Sequence, residues 1–330
     1  MYKFDYFFKT NDLLEIKDNF NLFRAVPSKL RYSDSHIQHP DLTVIIPTYK
    51  NLSTLFEAIE SALNQNNAPN YDILIINNDP GDDTIIINKI KSYISDRIIY
   101  FRNEKNIGMF GNWLRGIELA KSDYVVYLHA DDMFVENTLE VLWKYHLKIE
   151  PTAAIIGREH NLIKGCFVKY KQQKKLFKFI KLKQFYKLNK FSLYKQESEN
   201  GCAALLNRHV IKEIGGWNPS CYPSSDKLMF VNYQARYPVY RVNIPIRIDR
   251  VESNESLNCA KLFPASEYYD RIAIINRYFH RNKILKYFVY LSAISMSIPT
   301  LGINPVRKLN YVERLLLKLE SFVCNLSHQF

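Results

Sequence analysis

The sequence has no pair of cysteines close enough to form a C-x-x-C motif. Its five cysteines are scattered along the 330 residues, at Cys166, Cys202, Cys221, Cys259 and Cys324. This spacing does not suggest a zinc ribbon or a dithiol redox centre. An odd number of isolated thiols is typical of a reducing compartment, so we expect a cytoplasmic protein.

Two common phosphate-binding motifs are also missing. No G-x-G-x-x-G follows the first predicted strand, and no G-x-x-x-x-G-K-[ST] occurs. A dinucleotide-binding Rossmann domain and a P-loop enzyme are therefore both disfavoured. The first residues, M-Y-K-F-D-Y-F-F-K-T-N-D, lack the apolar core and small-residue cleavage site of a signal peptide. We expect no such peptide.

The net charge of +12 is distributed unevenly. Residues 1–168 hold more acidic than basic side chains, whereas residues 169–190 hold nine lysines and no acid. Residues 264–330 hold nine basic and four acidic residues. Positive charge confined to an insert and to the C-terminal region indicates an anionic partner surface.

Apolar strands alternate with helical patterns from residue 41 onward. Predicted strands are Leu42–Ile46, Asp72–Ile76, Arg97–Phe101 and Tyr124–Leu128, and the helices between them are Leu52–Asn64, Thr84–Ile94 and Asn112–Ala120. This order predicts an α/β fold with a mostly parallel sheet flanked by helices. We expect an N-terminal extension (1–40), a main domain (41–263) containing a lysine-rich insert (169–190), and a helical C-terminal region (264–330).

Each of the four predicted strands ends in a polar loop. The loops span Pro47–Asn51, Asn77–Asp83, Arg102–Asn112 and His129–Asp132. In parallel sheets, ligands bind beyond the carboxyl ends of the strands. We therefore expect the four loops to converge on one crevice.

Two adjacent acids, Asp131 and Asp132, follow the apolar strand Tyr124–Leu128. Solvent, a cation or a substrate can offset their repulsion, and carboxylate oxygens suit Mg²⁺ or Mn²⁺. Aspartate is also common at helix N-termini, so capping of the next helix is an equal alternative.

The ordered motifs resemble those of family 2 glycosyltransferases of the inverting, GT-A type. They are V-I-I-P-T-Y-K-N, I-I-N-N-D, N-I-G-M-F-G-N-W through H-A-D-D, G-G-W-N, P-S-S-D and Y-P-V-Y, and they cover residues 41–257. The resemblance implies a GT-A catalytic domain over residues 41–263.

The resemblance also implies a nucleotide-sugar site. Pro47, Thr48 and Tyr49 are expected to line the nucleotide pocket, and Asp79 to accept a hydrogen bond from the base or ribose. Strand termination by Pro47, packing of Tyr49 and turn formation by N-D-P-G are the alternatives. Further donor contacts are expected from Asn106, Asn112, His129 and Arg250, although the two asparagines can instead fix their loop.

The metal motif of the family is usually D-x-D, and here His129 replaces the first acid. Asp131 is the expected Mn²⁺ or Mg²⁺ ligand, with Asp132 as a second candidate or a helix cap. Imidazole suits Mn²⁺ better than Mg²⁺, and His129 can instead contact ribose or phosphate, or pack. In several members of the family a histidine follows the arginine that matches Arg250 by two positions, and this sequence has Glu252 there.

Catalytic and acceptor residues are expected after G-G-W-N. Asp226 matches the general base, which takes the proton of the acceptor hydroxyl, unless it only caps its helix. Trp217 is expected to stack on the acceptor sugar, with core packing as the alternative.

The expected function is metal-dependent, inverting transfer of a sugar from a nucleoside diphosphate sugar, with UDP preferred. The acceptor would be a glycan or lipid-linked glycan, in assembly of a capsule, O-antigen or lipooligosaccharide. Rival interpretations are a nucleotidyltransferase, whose phosphate loop is missing, a degenerate transferase, and a nucleic-acid binder. We expect no nucleic-acid partner.

The insert at residues 169–190 interleaves its lysines with aromatic residues, a pattern typical of interfacial segments. A second apolar stretch, Ile284 to Ile303, is interrupted by Lys286 and Pro299 and is unsuited to crossing a membrane. These segments predict peripheral contact with anionic lipid at the inner face of the cell membrane. A disordered charged loop is the alternative for the insert.

Overall fold

A computed structural model describes residues 11–163, 165–169, 183–196, 201–251, 262–295 and 309–326. The centre of the fold is one mixed sheet. Its first six strands are β1 (Ser28–Ser33), β2 (Leu42–Thr48), β3 (Tyr71–Asn77), β4 (Ile98–Asn103), β5 (Tyr124–Tyr127) and β6 (Met133–Phe134). The others are β7 (Ala154–Ile163), β8 (Cys166–Val168), β9 (Phe185–Lys187), β10 (Leu205–Asn207) and β11 (Val239–Arg250). Across the sheet the strands follow the order β1-β4-β3-β2-β5-β10-β7-β11-β6.

Helices follow the strands. The first five are α1 (Leu52–Leu63), α2 (Thr84–Lys91), α3 (Gly108–Leu119), α4 (Thr138–His146) and α5 (Lys190–Lys195). They are followed by α6 (Arg208–Glu213), α7 (Ser225–Gln234), α8 (Phe263–Tyr278), α9 (Lys283–Ser295) and α10 (Tyr311–Leu326). No helix within the described ranges combines the length and the apolar character needed to span a bilayer.

The predicted parallel arrangement occurs in the first half of the sheet. Strand β2 pairs in parallel with β3 and β5, and β3 pairs in parallel with β4. Beyond β5, strand β10 is antiparallel to both of its neighbours, and β11 is parallel to β7. The α/β prediction is therefore confirmed, and the later strands make the sheet mixed.

Both faces of the sheet are covered, because side chains alternate along each strand. Val44 and Ile46 of β2 belong to the cluster that buries Leu55 and Ile59 of α1. Ile45 points to the opposite face, where it shares a cluster with Ile117 of α3. Burial on two sides explains why these strands read as continuous apolar runs rather than as alternating patterns.

The residues before β2 pack closely on the rest of the chain. Strand β1 pairs antiparallel with β4 at the edge of the sheet. Leu14 and Phe20 are buried. The guanidinium of Arg115 in α3 donates to the carbonyl oxygens of Phe23 and Val26 at 3.0 and 2.8 Å. Part of the range predicted as an extension thus contributes a strand to the central sheet, and the proposed division at residues 40 and 263 stays a prediction.

Most of the lysine-rich insert lies outside the described residues. Only Lys169 and residues 183–190 of the predicted range 169–190 are described. Within that part, β9 pairs with β11, and Leu188 is buried in the core. The C-terminal end of the predicted insert therefore belongs to the packed structure.

Candidate active site

The carboxyl ends of the parallel strands meet at one edge of the sheet, as predicted. Thr48 at the end of β2 is paired with Asn77 at the end of β3. The amide of Asn78 donates to the carbonyl oxygen of Thr48 at 2.9 Å. Beside them, the amide of Leu128 donates to the carbonyl oxygen of Ile45 at 2.9 Å. Residues His129 to Asp132, which follow Leu128, therefore lie at the same edge.

The two acids have different surroundings. Asp131 is half-buried, whereas Asp132 is only 7% exposed and accepts a hydrogen bond from the backbone amide of Arg250 at 2.9 Å. Burial and the neighbouring charge of Asp132 raise the pKa of Asp131. Burial also disfavours the ionised form of Asp132, but hydrogen bonds from His129 and the Arg250 backbone, together with the charges of His129 and Arg247, outweigh it and lower the pKa of Asp132. Asp131 is thus the carboxylate that gains most from a nearby cation.

His129 lies between an aromatic ring and Asp132. Its ring stacks on Trp113, with centroids 5.1 Å apart, and its Nδ1 atom lies 3.5 Å from Oδ2 of Asp132. Burial opposes protonation, yet Asp132, Asp131 and Asp249 together raise the pKa of His129. Its Nε2 atom is buried and has no hydrogen-bond partner. The histidine that replaces the expected first acid is therefore held by Asp132 and by stacking.

One group of potential metal ligands occurs within the described ranges. Atoms of His129, Asp132 and Cys202 lie within 4.8 Å of one another. Burial holds the pKa of the Cys202 thiol well above its usual value, whereas a metal ligand must be a thiolate. Asp132 already accepts the Arg250 amide and faces His129. A metal in this group would have to displace the thiol proton and the contacts of Asp132, whereas Asp131 is the more accessible of the two carboxylates.

Arg250 contacts the loop His129–Asp132. Its Nε atom donates to the carbonyl oxygen of Asp131 at 3.2 Å, and its Nη2 atom lies 2.8 Å from a carboxylate oxygen of Glu57 on α1. A diphosphate at this edge would compete with Glu57 for the guanidinium. Sequence reasoning missed Glu57, because nothing in the pattern of α1 distinguishes it from other exposed acids.

Four asparagines connect the loops after β3 and β4 through side-chain hydrogen bonds. Asn103 donates to the side-chain oxygens of Asn78 and Asn112 at 3.0 and 2.9 Å, and Asn112 donates to the carbonyl oxygen of Ile76 at 3.0 Å. Asn78 in turn donates to Asn106 at 2.8 Å. Asn112 is only 3% exposed. Its burial favours the alternative, in which it fixes the loop, over the predicted contact with the nucleotide sugar. Asn106 is exposed and also accepts from the amide of Gly108.

The predicted nucleotide-pocket residues differ in accessibility. Tyr49 is 43% exposed, whereas Pro47 and Thr48 are buried. Asp79 is half-buried, and one of its carboxylate oxygens accepts from the amide of Gly81 at 3.1 Å. Tyr49 and Asp79 are thus the members of this set whose side chains are accessible, and Asp79 also makes a local hydrogen bond within the segment N-D-P-G.

Trp217 is placed in the core and not on the surface. Its side chain is fully buried, and its ring packs edge-on against Trp113 and Tyr127, at centroid distances of 5.5 and 5.2 Å. Stacking on an acceptor sugar needs an exposed ring face, so this prediction is not supported. The aromatic side chain instead stabilises the contact between α3 and strand β5.

Asp226 occupies the first turn of α7 and is half-buried. One of its oxygens accepts from the backbone amide of Lys227 at 2.8 Å. Burial raises the pKa of the neighbouring Asp270 to about 7, and the charge of Asp226 contributes to that shift. Two carboxylates therefore lie near the start of this helix, one accessible and one enclosed.

Strand β11 contributes a buried ionic group that sequence reasoning missed. Arg247 is 2% exposed; its Nε atom lies 2.6 Å from Asp249, and its Nη2 atom lies 3.2 Å from Glu159. Its Nη1 atom donates to the carbonyl oxygen of Cys202 at 3.0 Å. The alternation in I-R-I-D-R was the available signal, since Arg247 and Asp249 share one face of the strand.

A separate cleft of about 660 Å³ lies at the opposite edge of the sheet. It is lined by residues that include Asn70, Tyr71, Tyr93 and Arg97. These residues lie at or before the amino ends of strands β3 and β4. None of the predicted site residues lines it.

Comparison with known proteins identifies the family. The model of "Glycosyl transferase family 2" matches residues 43–215, and the chain belongs to this family. A poly(ribitol-phosphate) beta-N-acetylglucosaminyltransferase, TarP, of Staphylococcus aureus is 32% identical over 36% of this chain and 36% of its own length. A GalNAc(5)-diNAcBac-PP-undecaprenol beta-1,3-glucosyltransferase of Campylobacter jejuni is 32% identical over 31% of this chain and 33% of its own.

Similarity to solved structures supports the same fold. The S. aureus TarS fragment 1–349 in complex with UDP-GlcNAc matches with a TM-score of 0.52 and 11% identity, over 80% of this chain and 84% of that one. Alignments with three uncharacterised glycosyltransferases, of Rickettsia bellii, Mycoplasma genitalium and Rickettsia felis, span 15%, 37% and 33% of those proteins. The chain therefore covers well under two thirds of these curated relatives.

Proposed function

We propose that this chain transfers a sugar from a nucleoside diphosphate sugar to a hydroxyl group of a glycan or lipid-linked glycan, with inversion at the anomeric carbon. The observation that carries the proposal is the half-buried Asp131 at the carboxyl edge of the sheet, with Arg250 beside it. Family membership and the GT-A fold support the reaction class. UDP is the proposed nucleotide, because the structurally similar TarS fragment was solved in complex with UDP-GlcNAc.

A divalent cation fits the residues around Asp131. The pKa of this carboxylate is raised by burial and by Asp132, so a nearby positive charge favours its ionised form. Carboxylate oxygen is a suitable donor for Mn²⁺ or Mg²⁺. When bound, the ion supplies charge neutralisation to the diphosphate leaving group. Asp131 is the proposed ligand, and Asp132 is proposed to hold His129 and the Arg250 backbone in place.

The protein residues have separable tasks in this proposal. Tyr49 and Asp79 contact the nucleoside, since both expose polar groups at the strand ends. Arg250 binds the diphosphate after exchanging its contact with Glu57. Asp226 takes the proton from the acceptor hydroxyl as that oxygen attacks the anomeric carbon, which inverts the configuration.

The acceptor is proposed to belong to a bacterial surface glycan. The names of two relatives include poly(ribitol-phosphate) and PP-undecaprenol. A lipid-linked acceptor is held at a membrane, so peripheral association with the inner face of the cell membrane is part of the proposal. The lysine-rich insert at residues 169–190 remains the sequence-based candidate for that contact.

Thermal shift with a panel of nucleotides tests the donor. We expect UDP and UDP-sugars to raise the melting temperature in the presence of Mn²⁺, and ADP, GDP and CDP to raise it less. Ligand at 100 times its dissociation constant stabilises by about 2.7 kcal/mol, which is a readily measured shift. No stabilisation by any nucleotide, with or without the metal, would contradict the proposal.

A further inference from the structure

Helix α10 is held against the protein by the ion pairs of Glu320. Oε2 of Glu320 lies 2.5 Å from Nζ of Lys195 on α5, and Oε1 lies 3.5 Å from the guanidinium of Arg271 on α8. The side chain of Glu320 is only 7% exposed, and Glu313 is 5% exposed. These two residues are seven positions apart and therefore lie on one face of the helix, which is directed inward.

The opposite face of α10 is apolar and basic. Val312, Leu315 and Leu319 follow the helical repeat and are 61%, 45% and 49% exposed, and Tyr311 beside them is 75% exposed. Arg314 and Lys318 are also exposed, along the edge of this stripe. An exposed apolar stripe of this kind needs an explanation, because helices of globular proteins normally bury their apolar face against the core.

Helix α9 shows the same composition on its exposed side. Ile284, Tyr287 and Tyr290 are three positions apart and exposed, and Lys283 lies beside them. The sequence of α9 contains no acid, and both described acids of α10 are directed inward. On the described outward faces of the two helices, all formal charge is therefore positive.

A groove lies along α10 and reaches the last residue of α9. It has a volume of about 560 Å³, and its lining includes Ser295 at the end of α9 together with Tyr311, Arg314, Leu315 and Lys318 of α10. Cationic side chains thus lie next to apolar ones around the same concave surface. This combination matches a molecule that has an anionic head and an apolar body.

We propose that the outward faces of α9 and α10, here called the C-terminal face, dock onto the surface of an anionic phospholipid membrane. Leucine, valine and tyrosine side chains enter the headgroup region, while arginine and lysine contact lipid phosphates. Charge complementarity carries the choice of a lipid surface, because the acids of this region are turned away from it. The inference deepens the membrane contact of the proposed function and rests on that part of it alone.

Co-sedimentation of the full chain with vesicles tests the proposal. We expect binding to phosphatidylglycerol–phosphatidylcholine vesicles at low salt, weaker binding at high salt, and little binding to phosphatidylcholine alone. Arg314→Gln with Lys318→Gln removes two surface charges, each worth roughly a fivefold change in partitioning. Leu315→Gln with Leu319→Gln removes two apolar contacts and should lower partitioning on the order of tenfold or more.

The matched control replaces exposed apolar residues elsewhere. Ile94 and Leu147 are 107% and 70% exposed and lie outside the C-terminal face. Ile94→Gln with Leu147→Gln should leave vesicle binding unchanged. Circular dichroism of each variant establishes that helix content is retained, so that a loss of binding reports on the surface.

Three outcomes would overturn the proposal. Unchanged partitioning of both α10 double variants would place any lipid contact elsewhere, such as in residues 169–190. Equal binding to neutral and anionic vesicles would remove the role of charge. Self-association that the leucine variants abolish, with no lipid binding, would assign the face to a second copy of the chain. Nucleotide thermal shifts measured on the same variants separate these outcomes from failure of the proposed activity.

Discussion

Asp270 on α8 is a buried acid that makes the stability of this protein depend on pH. It is 0% exposed, and both of its carboxylate oxygens lack a hydrogen bond that meets normal geometry. Burial raises its pKa from 3.8 to about 7, against the opposing effects of Ser224, Lys227 and Gln196, while Asp226 adds to the shift. The folded protein therefore retains a proton that the unfolded chain loses.

The sign of the effect follows from proton binding. Between pH 3.8 and about 7 the folded state holds more protons at Asp270 than the unfolded state, so the free energy of unfolding falls as the pH rises. At 1.36 kcal/mol per pKa unit, this group lowers stability by about 3 kcal/mol between pH 5 and pH 8. Asp270→Asn keeps the size of the side chain and removes its titration.

Urea unfolding followed by circular dichroism, at intervals from pH 5 to pH 8, measures the effect. We expect the wild type to lose about 3 kcal/mol more than Asp270→Asn across this range. Glu136→Gln, which removes an exposed carboxylate, serves as the control and should follow the wild type. Parallel curves for wild type and Asp270→Asn would refute the assignment of a raised pKa to this residue.

Two further predictions concern the proposed base and the packing of the N-terminal residues. Asp226→Asn should reduce sugar transfer at least about 100-fold in steady-state assays while leaving nucleotide affinity unchanged, because it removes a base and retains size; near wild-type turnover would exclude Asp226 as the base. Gly215→Ala should destabilise by about 3 kcal/mol or more in urea unfolding, since its φ is +78° and an added Cβ would lie 1.8 Å from the Lys17 carbonyl oxygen. Gly165→Ala, with φ +70° and open space, isolates the backbone contribution of about 1 kcal/mol, and equal losses in the two variants would show that the Lys17 contact is unimportant.

The strands and helices of the parallel half of the sheet were predictable because the patterns that determine them are local: apolar runs for the strands and helical periodicity for the helices. The runs that form β2 and β3 are mostly apolar and buried throughout, and the periodicity of α1 places Leu55 and Ile59 on one face. Convergence of the loops at one edge then follows from parallel pairing alone. The acid pair could be placed at this edge without any tertiary information.

The remaining features depend on contacts that are distant in sequence. The burial of Trp217 results from its packing against Trp113 and Tyr127, more than 80 residues earlier in the chain. The ion pair between Glu57 and Arg250 joins residues 193 positions apart. The local sequence G-G-W does not indicate whether the tryptophan ring is exposed or buried. Sequence patterns therefore located the candidate site but did not distinguish the side chains that line it from those that support it.

The most direct test of the proposed function is calorimetric titration of UDP into the wild type and Asp131→Asn, each with and without Mn²⁺. In the wild type we expect the metal to strengthen UDP binding, and in Asp131→Asn we expect that enhancement to disappear, because the ion loses its carboxylate ligand. Asp96→Asn, which changes an exposed acid at the opposite end of the sheet, should retain it. The same Mn²⁺ enhancement in Asp131→Asn as in the wild type would contradict the central claim.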